Sequence, residues 1–278
     1  MDCLTYPGLA QFGYNWSVVR TFGLVGVLLL AAGTAQPEER LTPEQAAALS
    51  AIRAYALDYT ARLPDYTCIQ VTKRRTVVNR GTIRPAHKDV IVEQLTFSNH
   101  RESYQVLKFN GEKAIGVEHN DITGAMVSGE FGRLLSAIFD PQSGTTFQFE
   151  GAEKLQGRKM TVIAYRVPDE NGMQLTTPAG SALVGLKGQV RADAETNQVM
   201  QITAQSTGVP AGFQVREVRL ALEYKAVPVA GQQYTLPFHC QAHWRNSDSS
   251  VHSEIDYTQY RKFVSEATLK FDGDDSAK

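Results

Sequence analysis

The stretch YTLPFHCQAHWR, residues 234–245, decides the reading of this chain, because it fits two incompatible structures. As a helix it would set His239 and His243 one turn apart on a single face, a spacing suited to a shared metal ion. As a strand it divides Tyr234, Leu236, Phe238, Cys240, Ala242 and Trp244 from Thr235, Pro237, His239, Gln241, His243 and Arg245, the two-residue period of a half-buried strand. Pro237 and the alternation favour the strand. At ~3.3 Å per residue the two imidazoles then stand about 13 Å apart on the polar face, whereas both ligands of one zinc lie about 2 Å from it. No metal site is expected here, and Cys240 should face the apolar side.

The same period spreads outward from this segment. Val218, Leu220, Leu222 and Tyr224 share one face of the preceding run, and Glu217, Arg219 and Glu223 share the other. Asn110-Gly111 marks a hairpin between YQVLKF and KAIGVEH, Asn171-Gly172 a second turn, and Asp193 to Asn197 a polar turn joining two more runs. About eleven such segments occur. One wet and one buried face on each is the mark of antiparallel sheets.

Two helices punctuate the strands. Thr42-Pro43-Glu44-Gln45 carries a cap, a first-turn proline and the partner of a capping box. Leu49, Ile52, Ala56, Tyr59 and Leu63 then recur at helical spacing up to Pro64. A second helix is expected within 129–139: Phe131, Leu134, Leu135 and Ile138 form its apolar stripe, Ser128 can cap it, and Asp140-Pro141 ends it. The expected fold class is α+β, mostly β: a curved antiparallel sheet covered by an N-terminal and an inserted helix. No linker divides residues 41–265, which read as a single domain, and 266–278 read as a flexible tail.

Residues 1–35 differ in kind. Arg20 precedes TFGLVGVLLLAA, an apolar run shorter than the ~20 residues that span a bilayer, and Gly33 and Ala35 occupy the -3 and -1 positions of a cleavage site. This is the pattern of a secretory signal peptide cleaved after Ala35, with an uncleaved anchor as the alternative. The polar lead before Arg20 is long, which points to a true start near Val18 or Val19. Export makes the protein periplasmic or extracellular. It leaves Cys68 and Cys240 where disulfides persist; a bond between them needs Cα atoms within roughly 7 Å, so bonded and unbonded states both stay open.

Charge and motifs narrow the function. With 28 basic and 29 acidic side chains, net charge -1, no overall field draws the chain to nucleic acid. Lys73-Arg74-Arg75 lies in a strand-like run, is expected to alternate between faces, and reads as solvated surface. SGEFG places Glu130 where a nucleophile elbow needs serine, and no other Gly-x-Ser-x-Gly occurs. His87, His100, His119 and His252 lack partners at ligand spacing, and Asp272, Asp274 and Asp275 sit in the expected tail. Neither an enzyme nor a cofactor is expected.

The exported chain, the leading helix and the strands with an inserted helix resemble the LolA/LolB-like outer-membrane lipoprotein carrier superfamily, a fold shared with mycobacterial lipid-binding lipoproteins and the regulator RseB. LPDYTCIQVTKR (63–74), GEFGRLLSAIFDP (129–141) and GQVRADAETNQVMQIT (188–203) are also similar to an uncharacterised family of exported acidobacterial proteins. The resemblance implies a β half-barrel closing over helices around an apolar cavity. It implies an acyl chain or lipoprotein as ligand, with Val218, Leu220, Leu222, Tyr224, Leu236, Phe238 and Trp244 lining the inner face and Phe131 and Leu135 contributed by the inserted helix. The alternative within the same fold is a non-enzymatic module that interacts with or senses an envelope protein.

Overall fold

Twelve antiparallel strands form one open sheet among the residues described by this computed structural model, 41–78, 86–119, 122, 132–177 and 180–263, which fall within the compact unit Glu39–Lys278. The expected leader, Ser128, Glu130, Phe131 and the expected tail lie outside the described residues. In chain order the strands are β1 (Tyr66–Val78), β2 (Ala86–Ser98), β3 (Arg101–Phe109), β4 (Glu112–Lys113), β5 (Thr146–Leu155), β6 (Arg158–Val167), β7 (Met173–Thr177), β8 (Gly180–Asp193), β9 (Val199–Thr207), β10 (Val215–Val229), β11 (Gln232–Asn246) and β12 (Ser249–Lys262). Their spatial order is β4-β3-β2-β1-β12-β11-β10-β9-β8-β6-β5, with β7 paired to β8. The first strand therefore lies beside the last, at the middle of the sheet. The sheet curves into a half-barrel without closing.

Local chemistry explains the connections. Asn110 and Gly111 adopt φ 51° and 89°, the left-handed pair that a two-residue hairpin requires, and Asn110 Oδ1 accepts from Val90 N at 2.8 Å. Asp193 organises the β8–β9 turn: its Oδ1 accepts from Glu195 N, Thr196 N and Thr196 Oγ1, and its Oδ2 meets Arg158 Nε at 2.7 Å. Burial would raise this carboxyl; the turn hydrogen bonds and Arg158 outweigh it and hold it below the usual range.

Helix α1 (Pro43–Leu57) begins with the reciprocal capping box, Thr42 N donating to Gln45 Oε1 at 2.8 Å and Gln45 N to Thr42 Oγ1 at 3.2 Å. It stops earlier than the periodicity suggests. A 3-10 turn, Thr60–Arg62, carries the chain on to Leu63, and Tyr59, past the helix end, stands edge-on to Tyr224 with centroids 5.9 Å apart and donates to Thr235 O. Helix α2 (Arg133–Phe139) is shorter than expected, starts after Gly132, and buries Leu134, Leu135, Ile138 and Phe139. Both helices pack on the concave face of the sheet, where they share its largest apolar cluster.

The two rims of the sheet differ. One ends in the two-residue β4; the other is β5, whose pairing with β6 shifts between Phe149 and Gly151, where Gly151 takes φ 116°. That is a bulge on an edge strand.

Candidate functional site

The concave face is built from rows of residues that sit opposite one another across neighbouring strands. One row runs Thr72, Ile255, Cys240, Leu222, Ile202, Val190, Ile163. All seven are buried, and α1 and α2 lie over this part of the sheet. Leu222, Tyr224, Leu236 and Leu135, four of the residues expected to line a cavity, are 0–1% exposed and belong to this helix-covered cluster. They are packed as core.

Further along the same strands lies a second apolar cluster. Val215, Ala242, Trp244 and Val251 are buried, and Leu175, Phe213, Val218 and Leu220 pack on them half-buried. It draws on β7, β10, β11, β12 and the turn before β10. Among the described residues none from α1 or α2 belongs to it. Val218, Leu220 and Trp244, three more of the expected lining residues, come together here.

Phe238 departs from the pattern. The β10–β11 register shifts between Glu223 and Tyr224: Glu223 faces His239, whereas Tyr224 faces Pro237. Phe238 is the extra residue of this bulge, half-buried, with Lys225 Nζ 4.9 Å from its ring centroid. A bulge breaks the two-residue period, so residues on either side of it no longer keep one phase. Pro237 carried the signal, since a proline inside a central strand is tolerated at a bulge.

Towards β1 and β2 the concave face turns polar. Arg74 and Asp89, side chains 5% and 3% exposed, pair at 2.8 Å. Glu93, fully buried, accepts from Gln70 Nε2 at 3.2 Å and lies 2.7 Å from His119 Nδ1, and His119 stacks on Tyr104. Burial alone would raise the Asp89 carboxyl; hydrogen bonds from Arg74 and Asn110, with the charges of Arg74 and His87, hold it below the usual range. This corrects the reading of Lys73-Arg74-Arg75 as solvated surface. Alternation sends Lys73 and Arg75 outward, but Arg74 points into the concave face and is desolvated against a carboxylate.

The two cysteines are both buried, and no disulfide joins them. Cys240 stands in the row of Ile255 and Thr72, so Cys68 is two strands and four residues away, roughly 16 Å by strand geometry. The bond allowed by export chemistry is thus out of reach of a disulfide's ~7 Å span. The two histidines of the opening stretch have separate partners: His239 Nδ1 is 2.9 Å from Asp256 Oδ1, and His243 stacks on His252 with centroids 4.1 Å apart. Where α1 ends against the β10–β11 hairpin, a cavity of about 430 Å³ is lined by Tyr55, Tyr59, Arg62, Gln198 and Tyr234 among others. Its lining is mixed, and the apolar surface of Trp244 lies elsewhere.

No protein-family model and no curated protein matches this chain. Among solved structures it is similar to a LolA superfamily protein from Nitrosomonas europaea at 8% identity, over 78% of this chain and 94% of that one, with a TM-score of 0.32. It is similar to a DUF1329 family protein from Desulfovibrio piger at 11% identity, over 79% and 93%, with a TM-score of 0.35. A third similar structure is the lipoprotein LppX of Mycobacterium tuberculosis, at 11% identity over 79% and 98%, with a TM-score of 0.29.

Proposed function

We propose that this chain is an exported, non-enzymatic protein that binds a hydrophobic ligand, an acyl chain or the lipid of a lipoprotein, on the concave face of its half-barrel. The observation that carries the reading is the division of that face. Where helices cover it, the side chains are sealed into a core. Around Trp244, strands alone assemble an apolar patch that keeps Leu175, Phe213, Val218 and Leu220 only half-buried. An acyl chain laid on such a patch removes apolar area from water at about 25 cal/mol per Å², and the curved sheet gives it a wall to follow. The leader-like segment, the resemblance of 63–74, 129–141 and 188–203 to exported acidobacterial proteins, and the expected cleavage after Ala35 support a ligand outside the cytoplasm.

The chain has two tryptophans, Trp16 and Trp244, so protein beginning at Gln36 carries Trp244 alone. Brominated fatty acid titrated into that protein should quench its tryptophan fluorescence saturably, and native mass spectrometry should find co-purified lipid. Absence of both quenching and bound lipid overturns the reading. A second reading, a module that interacts with an envelope protein, draws on the sealed first cluster. In it the Trp244 patch would receive an apolar side chain of a partner, and crosslinking from residues 218 and 220 in the envelope would capture that partner with no lipid present.

A further inference from the structure

The outer face of the sheet carries a feature that hydrophobic binding does not use. Arg166 on β6 lies opposite Lys187 on β8, Lys187 opposite Gln205 on β9, and Gln205 opposite Arg219 on β10. Arg219 faces His243 on β11, His243 faces His252 on β12, His252 faces Arg75 on β1, and Arg75 faces Lys88 on β2. Directly opposed residues share a face, so this is one row across eight strands, roughly 34 Å long at ~4.8 Å per strand. It holds five Arg or Lys side chains, two imidazoles and no carboxylate.

A groove of about 720 Å³ follows the row from β5 and β6 to β12. Its floor is made of small residues, Ala164, Gly188, Thr203 and Ala221. Lys187, Arg219, His243 and His252 wall one side. Three carboxamides, Gln189, Gln205 and Gln241, line it, Gln189 Nε2 donating to Glu150 and Gln205 Nε2 to Glu217 Oε1 at 2.9 Å so that their carbonyl oxygens are left for a ligand, and Glu150 and Glu254 stand at its two ends. Arg219 and Arg245 share Glu217 in the row beyond, with Arg245 Nη2 at 3.0 Å from Glu217 Oε2.

We propose that this groove binds a linear acidic polysaccharide, its carboxylates paired with the row of cations and its hydroxyls with the three carboxamides. Charge complementarity selects a polyanion, and shape selects which kind. The row crosses the strands and so bends with the half-barrel; a flexible chain can follow that path, whereas a flat bilayer surface touches only part of it. The carboxamides add donors and acceptors that hydroxyls use and that a phosphate backbone does not need. One anionic group per strand spacing also suits a sugar chain, whose rings repeat on a similar length. Burial first, then the neighbouring His252, Arg219 and Arg245, hold the His243 imidazole below its usual range, with Glu217 opposing. Acidification charges His243, which stands in the row between Arg219 and His252. A bound carboxylate chain would make that protonation easier, so binding and protonation should be linked.

The test uses the full chain and fluorescently labelled polygalacturonate, followed by anisotropy at low salt. Saturable binding is expected, tightening several-fold between about pH 7.5 and about pH 5.5, with labelled neutral dextran unbound. The double variant Lys187→Glu/His252→Glu, both sites exposed, should bind on the order of tenfold more weakly with an unchanged circular dichroism spectrum. Equal binding of dextran, undiminished binding by the double variant, or preference for duplex DNA or phosphatidylglycerol vesicles over polygalacturonate would each overturn the proposal. Val218 belongs to the Trp244 patch and does not line the groove, so loss of acyl binding by Val218→Asn leaves this result untouched.

Discussion

The two apolar clusters of the concave face are made by the same strands and differ in what covers them. Each strand passes from one to the other within four residues: Leu222 to Val218 on β10, Cys240 to Trp244 on β11, Ile255 to Val251 on β12. In the first cluster α1 and α2 complete the packing and bring the side chains to near-zero exposure; in the second, Val218 and Leu220 stay half-buried. Alternation along a strand decides which face a residue joins. Position along the strand decides whether it becomes core or remains available to a ligand.

The comparison breaks if the helix-covered cluster is not what holds the fold together. Ile138, fully buried on α2, is the sharpest probe: Ile138→Ala should cost about 3 kcal/mol, within the range for truncating a sealed aliphatic side chain, measured by urea denaturation. Quenching of Trp244 by brominated acyl chains should persist in the folded fraction. A cost under about 1 kcal/mol would mean that α2 does not seal the cluster.

A smaller loss should come from acid, and it should strike neither apolar cluster. Asp89 and Asp193 are held below their ordinary range by their cationic and hydrogen-bonding partners, and so is Glu217 by Arg245 and Arg219, against the opposing effect of burial. With the folded values lowered, the unfolded chain takes up protons first as pH falls. The stability these groups contribute is complete near neutrality and is lost from about pH 4 downward. Urea midpoints at neutral pH and near pH 3 measure it; equal midpoints would show that these partners add nothing to the folded state.

The smallest expected change in stability sharpens the contrast most. Val218→Asn, in the half-buried patch, should shift unfolding by less than about 1 kcal/mol while weakening acyl quenching on the order of tenfold, since it puts an amide into apolar surface. A large stability loss at Val218 would make the second cluster ordinary core.

Much of this arrangement was legible in the sequence because a period of two is a local property. The faces of Val218 to Tyr224, the Asn110-Gly111 turn, the Thr42 capping box and the buried side of α2 all follow from neighbours a few residues apart. Arg74 was not legible in this way: alternation gives its face, but only the partner strand, fifteen residues on, supplies Asp89. Phe238 was misplaced because a bulge changes phase without changing composition, though Pro237 marked the spot. The basic row was invisible altogether. It exists only once register aligns residues from eight strands, and neither overall charge nor any short motif contains that information. For the same reason Cys68 and Cys240 could look like partners until register set them far apart.

The unequal rims of the sheet have a consequence of their own. An incomplete barrel leaves main-chain donors and acceptors facing outward at both ends, and a colliding copy could extend the ladder there. Among the described residues one rim carries a strand of two residues paired to Lys108 and Phe109 at the end of β3, and the other is interrupted at Gly151. The bulge at Gly151 cuts the straight ladder that a second copy could extend along β5, a geometry that works against stacking of open half-barrels into fibrils when they are crowded.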